Sequence, residues 1–203
     1  MIDDYEPWLV SSVPEKGEVA IDVGANKGLW TRWLAKRFRQ VHAIEPNPEI
    51  LPQLKEGLPA NVTLHEVAAW DEEKLLSFKR YVCPDHLSAY FKDEGIATGP
   101  VLGTVEISAV PLDSLSISGK VDFIKCDTEG AEFHCILGAQ SLIAKNRPVL
   151  LIEIHAAENF KRLSALLSDW CYAYRVIEHP LAPLDSPYRT EHFWIACQPQ
   201  ALG

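Results

Sequence analysis

Several things are missing from this 203-residue chain, and each absence excludes something. There is no run of about 18 apolar residues, so no membrane-spanning helix is expected. There is no basic excess: 19 Lys and Arg face 28 Asp and Glu, a net charge of -9. A protein that grips duplex nucleic acid needs a basic face to displace counterions, so no nucleic-acid partner is expected. An anionic membrane surface is disfavoured for the same reason. The densest basic run, Arg32, Lys36, Arg37 and Arg39, has helical spacing and reads as a solvated helix face. There is no C-x-x-C pair, and the five cysteines (Cys83, Cys126, Cys135, Cys171, Cys197) are odd in number. Structural zinc and a secreted disulfide framework are both disfavoured. The start, MIDDYEPWLV, lacks a basic region and a long apolar stretch, so no signal peptide is expected. A reducing, cytoplasmic compartment fits these features. Hydrophobic content of 47% and charged content of 23% are those of an ordinary globular protein. The length corresponds to about one domain, here taken as residues 1–203.

Periodicity predicts the elements. Val19 to Val23 is a short apolar strand ended by Gly24. Leu29, Trp30, Trp33, Leu34 and Phe38 recur at helical spacing, predicting a helix over Gly28 to Phe38. Val41 to Ile44 is a second strand, Glu49 to Glu56 a short helix, and Val62 to Val67 a third strand. This β-α-β-α-β start argues for a parallel sheet covered on both faces. Leu75 to Val82 and Val105 to Val110 read as strands flanking a loop-rich stretch, Cys83 to Gly103. Long irregular stretches inside a compact domain are usually functional or mobile, so this one is expected to border a substrate mouth. Val121 to Cys126 is a strand, and Glu132 to Leu137 begins a helix that Gly138 interrupts. Val149 to Ile154 is a buried strand, Glu158 to Trp170 an amphipathic helix, and Tyr172 to Ile177 and Phe193 to Cys197 are closing strands. Residues 178–192 carry three prolines and are expected to form a second substrate-side loop.

Four motifs fall at one predicted sheet edge. IDVGANKG, Ile21 to Gly28, is a strand-loop-helix junction whose glycines let backbone turn tightly near a ligand. Its G-x-x-x-G spacing does not meet the dinucleotide fingerprint, and it lacks a P-loop ending. Glu45 ends the next strand, 21 residues beyond Gly24, where an acid accepts hydrogen bonds from ribose hydroxyls. IKCDTEGAEF places Asp127, Glu129 and Glu132 where a strand opens into a helix. Those acids suit a helix start, a cationic ligand or a general base. Asp127, Glu129 and His155 also form a possible metal donor set, but oxygen ligands are too generic to assign one. LLIEIH ends in Glu153 and His155, which alternation puts on one face.

Together these motifs resemble the FkbM family of S-adenosylmethionine-dependent methyltransferases. The resemblance rests on IDVGANKG, on AIEPNP (Ala43 to Pro48), on VDFIKCDTEGAEFHCILGA (Val121 to Ala139) and on PVLLIEIH (Pro148 to His155). VPLDSL, Val110 to Leu115, is also similar to a family segment. Lys27, and the Cys83 to Gly103 stretch, depart from the family pattern. The resemblance implies an α/β fold of the class I methyltransferase (Rossmann-like) type. That is a doubly wound, seven-stranded, mostly parallel sheet with helices on both faces and an antiparallel last strand. It implies S-adenosylmethionine as cofactor and a hydroxyl on a small-molecule, sugar or lipid acceptor. It implies cofactor contacts from Asp22, Gly24, Ala25, Asn26, Gly28, Glu45, Pro46, Ala68, Ala69, Trp70 and Asp127.

Removing the acceptor proton needs a base, and His155 is the first expectation, then Glu129, with His86 a distant third; Asp127 is placed beside the reacting groups. A nicotinamide-dependent oxidoreductase shares the βαβ-plus-acid logic, although the glycine spacing and the lack of a Tyr-x-x-x-Lys pair oppose it. A catalytically silent nucleoside-binding module of the same fold is the other alternative.

Overall fold

The computed structural model describes residues 7–81, 89–91, 101–155, 157–177 and 193–201. In chain order the first elements are α1 (Pro7–Val10), β1 (Gly17–Val23), α2 (Leu29–Leu34), β2 (Phe38–Ile44), α3 (Leu51–Lys55) and β3 (Val62–His65). Next come β4 (Ala68–Ala69), β5 (Lys74–Tyr81), β6 (Ala89–Phe91), β7 (Val101–Val110) and β8 (Val121–Cys126). The chain continues through α4 (Glu132–Leu137), α5 (Gln140–Asn146), β9 (Val149–Ile154), α6 (Ala157–Asp169), β10 (Tyr172–Ile177) and β11 (Phe193–Pro199).

Seven strands form the main sheet in the order β10-β11-β9-β8-β1-β2-β3. Strand β11 runs antiparallel to both β9 and β10, while β9, β8, β1, β2 and β3 pair in parallel. This is the topology that the resemblance implies. Side-chain alternation fills a core on each face. Ile21, Val23, Ile124, Leu150 and Ile152 enter one core with Leu163 and Leu167 of α6. Ala20, Phe123 and Leu151 enter the other with Trp30, Trp33, Leu34 and Trp194. Both faces are therefore apolar, as parallel strands covered on two sides require. The carboxyl ends of β1, β2, β8 and β9 open on one edge, where doubly wound sheets bind ligands.

The structure corrects two sequence expectations. Helix α2 stops at Leu34, and Phe38 belongs to β2. There its ring stacks on Phe123 at a centroid distance of 6.0 Å. Gly17, opposite Phe38, has no Cβ to block that ring. Leu29 is consequently 45% exposed rather than part of a long buried stripe. The basic run is therefore no single helix face. Arg32 donates to the carbonyls of Lys27, Leu54 and Glu56, Arg37 lies over the Trp33 ring, and Arg39 is in β2.

The second correction is a second sheet, β4-β7-β5-β6. Ala89–Phe91 pairs with β5, and β7 starts at Val101, so part of the Cys83 to Gly103 stretch is strand rather than loop. Residues 82–88, His86 among them, 92–100 and 178–192 lie outside the described residues. Among the described residues, no helix is long and apolar enough to cross a membrane.

Candidate active site

The loop after β1 is held from both sides. Gly24 has φ +77°, and a Cβ there would stand 1.8 Å from the Asp127 carbonyl oxygen. Only glycine permits that approach of two backbones. The Gly24 and Ala25 N–H groups both donate to the Ile44 carbonyl at 3.0 Å. Asn26, with φ +48°, donates its N–H to Glu45 Oε2 at 2.7 Å. Asn47 donates its N–H to Glu45 Oε1 at 2.9 Å. Burial raises the Glu45 pKa, and these two N–H groups oppose the rise. Each carboxylate oxygen keeps a second lone pair for a ligand hydroxyl. Gly28, with φ +80°, turns the chain into α2, and Pro46 follows Glu45 half-buried.

Beneath the loop lies a buried charge centre. Asp22 and Lys125 are register partners on the adjacent strands β1 and β8. Both sit on the face that otherwise holds Ala20 and Phe123. Lys125 Nζ stands 3.2 Å from Asp22 Oδ1 and 3.4 Å from Asp127 Oδ2, and donates to the Gly24 carbonyl at 2.9 Å. Thr31 Oγ1 donates to Asp22 Oδ2 at 2.6 Å. Burial alone would lower the Lys125 pKa; the Asp22 and Asp127 charges reverse that and hold it above its ordinary value. Burial would likewise raise Asp127, but Lys125, then His155, hold its carboxyl below the ordinary value.

At the end of β9, the third cluster converges on His155, which is 8% exposed. Its Nδ1 lies 2.8 Å from Oε1 of the fully buried Glu132. The same oxygen accepts the Gly130 N–H at 2.8 Å, and Glu132 Oε2 accepts from Asn159 Nδ2 at 3.2 Å. His155 Nε2 faces Glu129 Oε2 at 3.5 Å, Glu153 Oε2 at 3.8 Å and Asp127 Oδ1 at 3.9 Å. Burial pulls the His155 pKa down, but Glu132, with Glu153 and Asp127, outweighs burial and lifts it to about 10. Burial and then the Asp127 charge push Glu153 well above its ordinary value, and its side chain hydrogen-bonds that of Asp127. Burial also raises Glu129, whose backbone is left-handed at φ +55° and whose side chain is 43% exposed.

Asp127, Glu129, Glu153 and His155 thus meet at one point, beside the loop of Gly24 to Gly28. Ala68 and Ala69 are buried in β4, where the Ala69 carbonyl accepts from Cys135 Sγ at 3.2 Å. The Trp70 indole stacks on His134 at 4.1 Å, and the Lys74 ammonium lies 4.6 Å over the same ring. It is committed to α4 and β5 rather than standing open as a stacking platform. Sequence reasoning missed Lys125, Thr31 and Asn159. A lone lysine inside the apolar strand VDFIKC, two residues before Asp127, was the available signal for the first.

Residues 22–176 match the family described as Methyltransferase FkbM domain. The crystal structure of methyltransferase FkbM from Methylobacillus flagellatus KT aligns with a TM-score of 0.63 at 21% identity, over 92% of this chain and 45% of that one. SMU.1697c from Streptococcus mutans, in complex with SAH, aligns with a TM-score of 0.53 at 14% identity, over 97% of this chain and 96% of that one. Likenesses at these identities carry the fold. Ribosomal RNA small subunit methyltransferase A of Rubrobacter xylanophilus (strain DSM 9941) is 39% identical over 63 residues, 30% of this chain and 24% of that protein. The chain therefore spans about a quarter of that curated relative's length and under half of the FkbM structure's. Since the family match runs through residues 22–176 of 203, well over half the length, the chain belongs to the FkbM methyltransferase domain family.

Proposed function

We propose that this chain is an S-adenosylmethionine-dependent methyltransferase that methylates a hydroxyl oxygen on a small-molecule, sugar or lipid acceptor. The observation that carries the reading is the juxtaposition of the Gly24 loop, Glu45, Asp127 and Glu129 at one sheet edge. The residues suit the cofactor: a loop that no Cβ could enter offers close backbone approach, and clustered acids complement a sulfonium cation. Bound S-adenosylmethionine supplies an electrophilic methyl group, with a neutral thioether as leaving group.

This chain's residues have separate tasks. Ala25, Asn26 and Gly28 present backbone to the methionine part, with Asp22 supporting the loop through Thr31 and Lys125. Glu45 accepts the ribose hydroxyls. Asp127 faces the cationic part. Glu129 receives the proton of the acceptor hydroxyl. This assignment puts Glu129 ahead of His155 as base. Glu129 is the more exposed, at 43% against 8%, whereas His155 is raised to about 10 and starts as the imidazolium. His155 then positions Glu129 from 3.5 Å. Alignment of the acceptor oxygen supplies most of the rate gain in such a displacement.

A hydroxyl on a neutral molecule rather than a nucleic acid is supported by the net charge of -9 and by Arg32 and Arg37 being engaged within the fold. Calorimetric titration with S-adenosylhomocysteine and with NADH tests the cofactor. Binding of NADH alone would overturn it. Transfer of labelled methyl to hydroxylated acceptors, with an RNA arm, tests the acceptor; label on RNA alone would overturn that part.

A further inference from the structure

Three side chains of this cluster differ in kind from a merely acidic surface. Asp127 follows β8, while Glu153 and His155 come from β9 and its end. One donor atom from each lies within 4.8 Å of the other two. His155 Nε2 stands 3.9 Å from Asp127 Oδ1 and 3.8 Å from Glu153 Oε2. The imidazole is more than nine-tenths buried, and its opposite nitrogen is anchored on Glu132 at 2.8 Å. Glu132 is itself held by Gly130 and Asn159 and lies outside the donor set. An imidazole that bonds a carboxylate through one ring nitrogen and turns the other toward oxygen donors has the build of a supported metal ligand.

We propose that Asp127, Glu153 and His155 bind a divalent cation of the Mn²⁺ or Mg²⁺ class at the acceptor side of the site. The donor set is two carboxylates, which suit Mg²⁺ and Mn²⁺, and one imidazole, which favours a transition metal over Mg²⁺. For bonds of about 2.0–2.1 Å, donors at right angles stand about 2.8–3.0 Å apart. The imidazole-carboxylate pairs need close by no more than about 1 Å to reach that geometry. Coordination takes the deprotonated forms of these side chains, so binding is coupled to proton release. Glu129 lies beside this donor set, its Oε2 3.5 Å from the same nitrogen. The inference deepens the proposed methyl transfer. A cation there holds the acceptor hydroxyl and makes it more acidic, and Glu129 takes its proton. The acceptor oxygen then bonds the methyl carbon as the carbon-sulfur bond breaks, with its electron pair going to sulfur.

The probe is Mn²⁺, added to the chelator-stripped 203-residue chain with and without S-adenosylhomocysteine. Electron paramagnetic resonance titration should count one bound Mn²⁺ per chain in both states. Spin-echo modulation of that Mn²⁺ should show one coupled imidazole nitrogen, a readout that needs no variant. Glu153→Gln should weaken Mn²⁺ binding at least tenfold while S-adenosylhomocysteine affinity stays within threefold. No Mn²⁺ bound at millimolar concentration would overturn the proposal. So would bound Mn²⁺ without nitrogen coupling, or complete displacement by S-adenosylhomocysteine. Loss of methyl transfer with Mn²⁺ binding intact would count against the function and leave the cation site standing.

Discussion

Lys125 Nζ and Asp22 Oδ1 stand 3.2 Å apart across two adjacent parallel strands, with both side chains removed from solvent. The ammonium also donates to the Gly24 carbonyl and stands 3.4 Å from Asp127. One buried cation thus ties the glycine loop of β1 to the acid that follows β8. Lys125→Met removes that cation and leaves two carboxylates facing each other. Breaking a buried pair from one side costs about 3–5 kcal/mol. Denaturant unfolding should show a loss of that order. The double variant with Asp22→Asn should cost less than the two singles summed, because the residues share one interaction. A Lys125→Met protein as stable as the parent would refute the pairing.

Gly24→Ala tests the loop. At φ +77° an L side chain is strained, at about 1–2 kcal/mol. The added Cβ would also meet the Asp127 carbonyl oxygen at 1.8 Å, and neither backbone can move without shifting a strand end. S-adenosylhomocysteine affinity, read by calorimetry, should fall roughly tenfold or more, equivalent to about 1.4 kcal/mol. The same substitution at Gly57, where nothing lies within 4 Å of the added atom, should leave that affinity unchanged.

Much of the scaffold was legible because its strands are bounded apolar runs. Val121 to Cys126, Val149 to Ile154 and Tyr172 to Ile177 read from sequence with the ends that the structure shows. The α2 expectation overran because Phe38 continues the helical spacing by coincidence, while its ring packs on Phe123 from a strand. The second sheet was hidden for another reason. Strand β4 is two residues long and pairs with Ala109 and Val110, some 40 positions onward, so no local period marks it. The acids of the site were legible as a cluster, but their unequal states were not. Those states depend on Lys125 and Glu132, buried charges whose partners lie on other elements.

In metal-free protein the Glu132–His155 pair should set the alkaline limb of stability. His155 has its folded pKa raised from 6.5 to about 10, so the fold favours the imidazolium. That contribution is complete below the unfolded value of 6.5 and is lost as pH rises toward about 10. Glu132→Gln removes the carboxylate and should lower the imidazole pKa, which nitrogen-15 chemical shifts of His155 would report. Unfolding free energy should then fall less steeply with pH over this window. An unchanged His155 titration in a folded Glu132→Gln protein would refute the assignment.

The acid limb has a different origin, in the stacked pair His42 and His65. Their rings lie 5.2 Å apart, with His42 Nδ1 2.8 Å from His65 Nε2. Burial first, and then the charge of His65, lowers the His42 pKa from 6.5 to about 4. A depressed histidine pKa means that the unfolded chain binds more protons, so stability falls as pH falls. The loss should begin near 6.5 and be complete near 4. A change of about 2.5 pKa units corresponds to about 3 kcal/mol at most. The raised carboxyls of Glu45, Glu129 and Glu153 act with the opposite sign over part of the same range. The comparison between variants is therefore the readout, rather than the absolute slope. His42→Phe keeps a planar ring against His65 and removes the titration. Its unfolding free energy should decline less than the parent's between these two pH values, and an identical decline would place the acid sensitivity elsewhere in the fold.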